Sequence, residues 1–305
     1  MTGEHRAAGS AQEASVEQAT RQALRRLITP ERLGAIDSTN RYLADLARQG
    51  APEGTAVLAD SQTAGRGRLG RRWVDAGGGS VLCSVLLRPR VEVLPVERWH
   101  LLSWAVALAG ADACVDASGM DVQSVEVRFK WPNDLVIGER KVAGVLAEVV
   151  PPGLGPAGAE GGPRTAGTDA DALPAVVVGI GINCNWPPSW PPPGDPDASA
   201  ITARAVSLDR VAGRAVDRDA VAARLLEQVA NRYGRLCAPL PSSSAAALAS
   251  EYRRRSATIG REVRIDLEGE TFSGTAMDVD DGGRLLVNVG ACTRVVEAGD
   301  VVHLR

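Results

Sequence analysis

Aromatic residues make up only 4% of the chain, with two Phe and three Tyr among 305 residues, and no apolar stretch is long. The longest runs from Leu101 to Ala111, contains a serine and stops at Asp112. That is well short of the ~20 residues a membrane span requires, so a transmembrane helix is excluded. The first thirty residues carry charges of both signs and no apolar core of a secretory leader, which predicts a cytoplasmic protein. An excess of basic charge is missing as well: 34 Lys and Arg face 37 Asp and Glu, for a net charge of -3. A general nucleic-acid binder is thereby excluded, and any polyanion must be gripped by a local cluster of arginines. The five cysteines (Cys83, Cys114, Cys184, Cys237, Cys292) are odd in number and never in CxxC spacing. Neither a disulfide framework nor a zinc site is indicated, and they read as buried free thiols.

What is present is ordinary globular composition, 45% apolar and 23% charged, enough for one large domain and a small one. Residues 1 to 15 are Ala, Gly, Ser and Glu-rich and predict a disordered tail. Val16 to Ile28 shows an apolar stripe at helical spacing, and Ser38 or Thr39 can cap a second helix striped by Tyr42, Leu43, Leu46 and Ala47. Short β-branched runs follow at Thr55 to Ala59, Ser80 to Leu87, Val125 to Phe129, Asp134 to Ile137, Lys141 to Val150 and Ala175 to Ile182. Helical patterns occupy Val96 to Asp116, Asp217 to Leu236 and Ser244 to Arg254. The pattern predicts an α+β domain over 16 to 255, with a mixed sheet of about six strands and helices mainly on one face. From Thr258 onward, apolar and polar residues alternate in four short runs (262 to 267, 271 to 278, 284 to 289, 293 to 297) between Gly and Asp-Gly turns. These predict a small β-barrel domain over 256 to 305. Pro151 to Pro174, almost wholly Pro, Gly, Ala and Asp, reads as a disordered insertion replacing a tight hairpin.

Four segments carry chemistry. Gly65-Arg66-Gly67-Arg68-Leu69-Gly70-Arg71-Arg72-Trp73 packs four arginines and three glycines into nine residues. Glycines allow close backbone approach, and arginines offer forked donors to carboxylate and phosphate oxygens. Lys130-Trp131-Pro132-Asn133-Asp134 sets an amide and a carboxylate at a strand end, where Asp134 could meet an ATP-bound Mg²⁺. Lys141 opens an apolar strand in which Gly144 leaves room for a ligand, and Gly179-Ile180-Gly181-Ile182-Asn183 ends another strand in a close-approach pattern. Each alone is equally a solvated loop or a turn.

In this order the four resemble the biotin protein ligase family, or biotin-[acetyl-CoA-carboxylase] ligases, whose motifs are GRGRxGRxW, KWPND, K-x-A-G-x-L-x-E and GIGIN. Ser38-Thr39-Asn40 and Gln62 also match that family. Trp73-Val74-Asp75-Ala76 departs from the usual W-x-S-P, and the insertion at 151 to 174 is a second departure. The resemblance implies a class II synthetase-like catalytic domain with an SH3-like C-terminal barrel. It implies activation of biotin by Mg-ATP, then transfer to a lysine of a biotin carboxyl carrier domain from an acyl-CoA or pyruvate carboxylase. Lys141 and Arg68 would be catalytic. Biotin would be held by Ser38, Thr39, Asn40, Gln62, Arg66, Gly67, Arg68, Lys141 and Gly144, and the nucleotide by Arg71, Trp73, Lys130, Asn133 and Asn183. Asp134 would be the metal contact, and Trp73 or Trp186 a stacking partner for adenine. No nucleic acid or membrane partner is implied, and the oligomeric state would be a monomer or weak homodimer. Lipoate protein ligases are the nearest alternative, but their arginine-led Ser-Gly-Gly-Gly run is absent. A biotin-sensing repressor is the alternative from another class, and the 36 residues before Asp37 hold about half of a winged helix-turn-helix.

Overall fold

The computed structural model describes residues 22–116, 125–152, 174–191, 194–238 and 241–304. The predicted tail (1–15), the start of the first predicted helix (16–21) and 153–173 of the predicted insertion lie outside the described residues. Helix α1 is described over 22–27. It is followed by β1 (Glu31–Ile36), α2 (Thr39–Arg48), β2 (Ala56–Gln62), β3 (Ser80–Leu87), α3 (His100–Asp116), β4 (Val127–Lys130), β5 (Asp134–Ile137), β6 (Arg140–Val150) and β7 (Ala175–Asn183). The remainder comprises α4 (Ala198–Arg204), α5 (Leu208–Ala212), α6 (Arg218–Leu236), α7 (Pro241–Arg254) and five strands, β8 (Glu262–Leu267), β9 (Glu270–Val279), β10 (Leu285–Asn288), β11 (Thr293–Val296) and β12 (Asp300–His303).

The main sheet has seven strands in the order β1-β2-β3-β7-β6-β5-β4, antiparallel except for β1 and β2. The six expected runs are all strands, and β1 is the addition. Its sequence Glu31-Arg-Leu-Gly-Ala-Ile36 is mostly exposed, so an edge strand without a buried face shows no alternation to read. β3 is buried at every residue because both faces of the sheet are covered. Val81, Cys83 and Val85 join the core shared with α3 and α6, whereas Leu86 packs with Leu43 and Ala47 of α2 on the opposite face. Helix α3, apolar all round, lies between the sheet and α6 and α7. Asp217 caps α6 by accepting from the Asp219 and Ala220 N–H groups. Ser38 is the N-cap of α2 without a side-chain cap bond. Cys83, Cys114 and Cys184 are buried as expected, but Cys237 is half-buried and Cys292 exposed.

The C-terminal strands form a second antiparallel sheet in the order β11-β10-β9-β8-β12. The four expected runs are present. The fifth strand, Asp300–His303, is too short to show a period of its own and closes onto β8. The segment that leads from α7 to the second sheet pairs with β4. Phe129 N–H donates to the Arg255 carbonyl (2.9 Å), and Ala257 N–H donates to the Phe129 carbonyl (2.7 Å). The chain leaving α7 thus satisfies the outer edge of β4.

Candidate functional site

Ser38, Thr39, Asn40, Gln62, Arg66, Trp73 and Gly144 converge on one pocket, with Leu146, Gly179, Ile180 and Gly181 as its apolar remainder. The convergence follows from topology: the start of α2, the end of β2, the loop after it and the central strands β6 and β7 meet on the α2 face. A buried hydrogen-bond chain fixes the polar wall. Gln62 Oε1 accepts from Thr39 N–H (2.7 Å) and lies 3.1 Å from Thr39 Oγ1. Ser84 Oγ is 2.8 Å from Thr39 Oγ1 and 2.7 Å from Asn40 Oδ1. Asn40 Nδ2 then donates to the Leu146 carbonyl (3.2 Å) and to Glu148 (2.8 Å), and Glu148 pairs with Arg66 at 2.9 Å.

Two glycines make the floor. A Cβ on Gly179 would sit 2.1 Å from Asn40 Oδ1, and one on Gly181 would sit 2.5 Å from the Trp73 ring. Trp73 lies across Gly181 and Gly144, and its indole N–H is buried without a partner. About 30 Å³ is free in the pocket, where the Trp73 ring fills the space over Gly181 and Gly144. A larger cavity of about 260 Å³ between β2, β3 and the start of α6 holds none of the motif residues. Its charges pair with each other, Arg32 with Asp219 (2.9 Å) and Arg218 with Asp60 (2.8 Å).

Beside the pocket stands the charged half of the site. Lys141 Nζ is 2.6 Å from Asp134 and 5.5 Å from the Trp73 ring centre. Arg68 is half-buried, and that burial pulls its guanidinium below the ordinary arginine range against the fields of Asp300 and Asp134; an arginine still stays charged at neutral pH. Burial likewise lowers Lys130, with Asp134 and Glu139 opposing. The arginine loop, whose glycines predict a mobile lid without an anion, follows a defined path here. Gly67 N–H donates to the Arg71 carbonyl (2.7 Å) and Trp73 N–H to the Gly65 carbonyl (3.0 Å). Internal carboxylates gather its arginines: Glu148 takes Arg66, Asp300 takes Arg71, and Asp195 takes Arg72.

A Biotin/lipoate A/B protein ligase family model matches residues 33–158, and a Biotin protein ligase C terminal domain model matches 258–304. A biotin-[acetyl-CoA-carboxylase] ligase of Mycobacterium tuberculosis is 38% identical over 88% of this chain and 86% of its own. Another from Paracoccus denitrificans is 32% identical over 88% of this chain and 98% of its own. The chain belongs to the biotin protein ligase family. A solved biotin protein ligase from Aquifex aeolicus, in complex with biotin and ATP, superposes with a TM-score of 0.66 at 25% identity, covering 90% of this chain and 98% of that one.

Within this biotin ligase fold the structure sorts the candidate residues unevenly. Ser38, Thr39, Asn40, Gln62, Arg66 and Gly144 share the pocket; Arg68, Lys141 and Asp134 form the charged group next to it. Gly67 is a turn residue inside the loop. Asn133 and Asn183 turn their amides inward, Asn133 to the Val145 carbonyl (2.9 Å) and Asn183 to the Val206 carbonyl (3.2 Å). In this conformation their side chains brace the strand ends. Arg71 reaches across to Asp300 of the C-terminal sheet. Trp186 is buried against Trp190, with Arg210 5.0 Å from its ring centre, whereas Trp73 lines the pocket. The close-approach pattern read at Gly179 and Gly181 lies in the pocket, whereas sequence reasoning did not select Glu148, Ser84 or Asp300. Glu148 closes the K-x-A-G-x-L-x-E run, so a local signal existed for it. Ser84 acts from β3 on α2 and Asp300 from the C-terminal sheet on the arginine loop, and nothing near them in sequence marks them.

Proposed function

We propose that the protein is an ATP-dependent biotin protein ligase that forms biotinyl-5′-adenylate and passes the biotinyl group to a lysine of a biotin carboxyl carrier domain. The observation that carries this reading is the pocket. It pairs a hydrogen-bonding end at Ser38, Thr39 and Gln62, suited to a neutral ureido ring, with a glycine floor and the Leu146 and Ile180 walls, suited to a thiophane ring and alkyl chain. The cations Arg66, Arg68 and Lys141 stand beside it.

In the first step a carboxylate oxygen of biotin attacks the α-phosphorus, the bond to the bridging oxygen breaks, and pyrophosphate leaves. Bringing the two anions to ~3.3 Å costs roughly 5 kcal/mol at an effective dielectric near 20, about 10³ to 10⁴ in rate. Lys141 and Arg68 offset that repulsion, and such fixed charge is the usual main source of catalysis. Lys130 and Arg71 serve the nucleotide, and Trp73 offers its ring to the base once it has swung off Gly181. Asn133 and Asn183 reach the nucleotide only if their amides turn outward. In the second step the carrier's lysine amine attacks the carbonyl carbon, AMP leaves, and the amine sheds a proton. Among the described residues no three His, Cys, Asp or Glu side chains gather to hold a metal. Magnesium therefore fits as an ion carried by the triphosphate, where it would neutralise phosphate charge with Asp134 as a protein contact. The names of the relatives support acetyl-CoA carboxylase or a kindred enzyme as the source of the carrier. A cytoplasmic monomer or weak dimer completes the reading.

The test is pyrophosphate exchange with biotin and with lipoate in parallel, followed by transfer of labelled biotin to a carrier domain. Exchange with biotin alone and labelling at one lysine are expected. Exchange with lipoate alone would overturn the reading.

A further inference from the structure

The turn Lys130-Trp131-Pro132-Asn133 is gripped from outside its own sheet. Trp131 backbone N–H donates to Thr258 Oγ1 (3.0 Å), and its indole N–H donates to the Gly283 carbonyl (3.0 Å). Both acceptors belong to the C-terminal region. Thr258 is fully buried. Its oxygen accepts from Trp131 and also bonds His303 Nε2, 3.1 Å away, the imidazole tautomer setting which of the two donates. His303 Nδ1 makes no hydrogen bond and has Glu139 3.5 Å off. The His303 side chain is only 7% exposed, and burial together with the Lys130 ammonium favours the uncharged imidazole. The last strand of the chain therefore locks the main chain at Trp131 through one threonine hydroxyl.

We propose that Thr258 and His303 are positioning residues for the nucleotide: by fixing Trp131 they hold Lys130, its neighbour in the turn, toward the triphosphate. The inference rests on the assignment of that turn to the nucleotide subsite. Buried, fully satisfied polar links of this kind define one arrangement of the groups they join. Biotin, in contrast, meets α2, β2, β6 and β7, none of which Thr258 or His303 touches.

The experiment compares the full chain with His303→Leu, His303→Gln, Thr258→Val and the Thr258→Val/His303→Leu double variant. It uses ATP binding by calorimetry and KM values from biotin-dependent pyrophosphate exchange. His303→Leu should weaken ATP binding and raise its KM about tenfold, while KM for biotin stays within about twofold. His303→Gln, whose amide oxygen can accept from Thr258, should return to within about threefold of the parent, and the double variant should be no worse than the worse single. Equal rises in both KM values, equal losses in Leu and Gln variants, or additive effects would each overturn the inference. If His303→Leu does not fold, the Gln and Thr258→Val variants decide it by the same readouts. A parent that binds ATP but performs no exchange with biotin would sink the ligase reading alone, and the calorimetric comparison would still decide this one. A parent with no affinity for ATP would overturn this one as well.

Discussion

Lys141 Nζ lies 2.6 Å from the carboxylate of Asp134, an ion pair between the adjacent strands β5 and β6 beside the pocket. Both side chains are about a third exposed, so the pair contributes little to stability; its importance is where it holds the ammonium. Lys141→Ala should leave the melting temperature nearly unchanged and lower the rate of adenylate formation by roughly 10² or more. Pyrophosphate exchange measures this, and an unaltered rate would remove Lys141 from the chemistry.

Gly181 tests the floor of the pocket. A methyl group there would stand 2.5 Å from the Trp73 ring, so the indole must leave its seat. Gly181→Ala should raise KM for biotin about tenfold or more, because the methyl also occupies space the ligand needs. Stability should change little, since Trp73 sits in a loop. Unaltered biotin affinity with intact folding would show that the ligand lies elsewhere.

Ser84 is fully buried between Thr39 and Asn40. Its one proton serves Asn40 Oδ1, which otherwise has no donor. Ser84→Ala should cost about 1 to 3 kcal/mol in urea denaturation, the usual penalty for an orphaned buried acceptor. It should also raise KM for biotin, because Asn40 is the neighbour of Thr39. A stability loss with unaltered KM would mean that the network is structural only.

How far the sequence could be read depended on whether a residue's role was local. The strand Ser80–Leu87 is buried throughout and Ala175–Asn183 at every residue but Gly181, and apolar runs rich in β-branched residues announce that. The exposed edge strand Glu31–Ile36 and the four-residue Asp300–His303 carry no such signal. The glycine and arginine motif was legible because its chemistry lies within nine residues. The carboxylates that take its arginines, Glu148, Asp195 and Asp300, come from three other elements, and only the fold brings them there. The inward turn of Asn133 and Asn183 was equally hidden, since an amide at a strand end serves a ligand or a backbone carbonyl with the same sequence.

Acid sensitivity follows from the histidines. Burial holds His303 below the ordinary value of 6.5, the Lys130 ammonium adds to the effect, Glu139 opposes it, and Arg261 reinforces it. Burial holds His100 down likewise. A depressed folded value means that the unfolded chain binds the proton first, so this contribution is level above pH 6.5 and becomes increasingly destabilising as pH falls below it. His303→Gln removes one share. Its melting temperature should fall less than that of the parent between about pH 7.5 and 5.5, and parallel curves would show that His303 titrates normally.

The insertion ends where a hairpin could begin. Val150 and Ala175 are register partners, the last pair of the β6 and β7 ladder. The ladder is continuous from Ala143 and Ile182 to that pair, so the strands reach the junction already aligned. Residues 151 to 174 therefore join two points that a two-residue turn can span. Loop length costs little in closure entropy, roughly 0.6 kcal/mol per doubling. Removing 24 residues from 151 to 174 in favour of Asn-Gly should therefore preserve or slightly raise stability. The pocket residues on these strands, Gly144, Leu146, Gly179 and Gly181, sit several pairs away from the junction. Adenylate formation should be unaffected. Transfer is the sensitive half of the assay. A shortened chain that melts like the parent and makes adenylate at the parent rate, yet labels the carrier slowly, would show that the insertion belongs to carrier docking; parent rates in both steps would show that it is a surface loop.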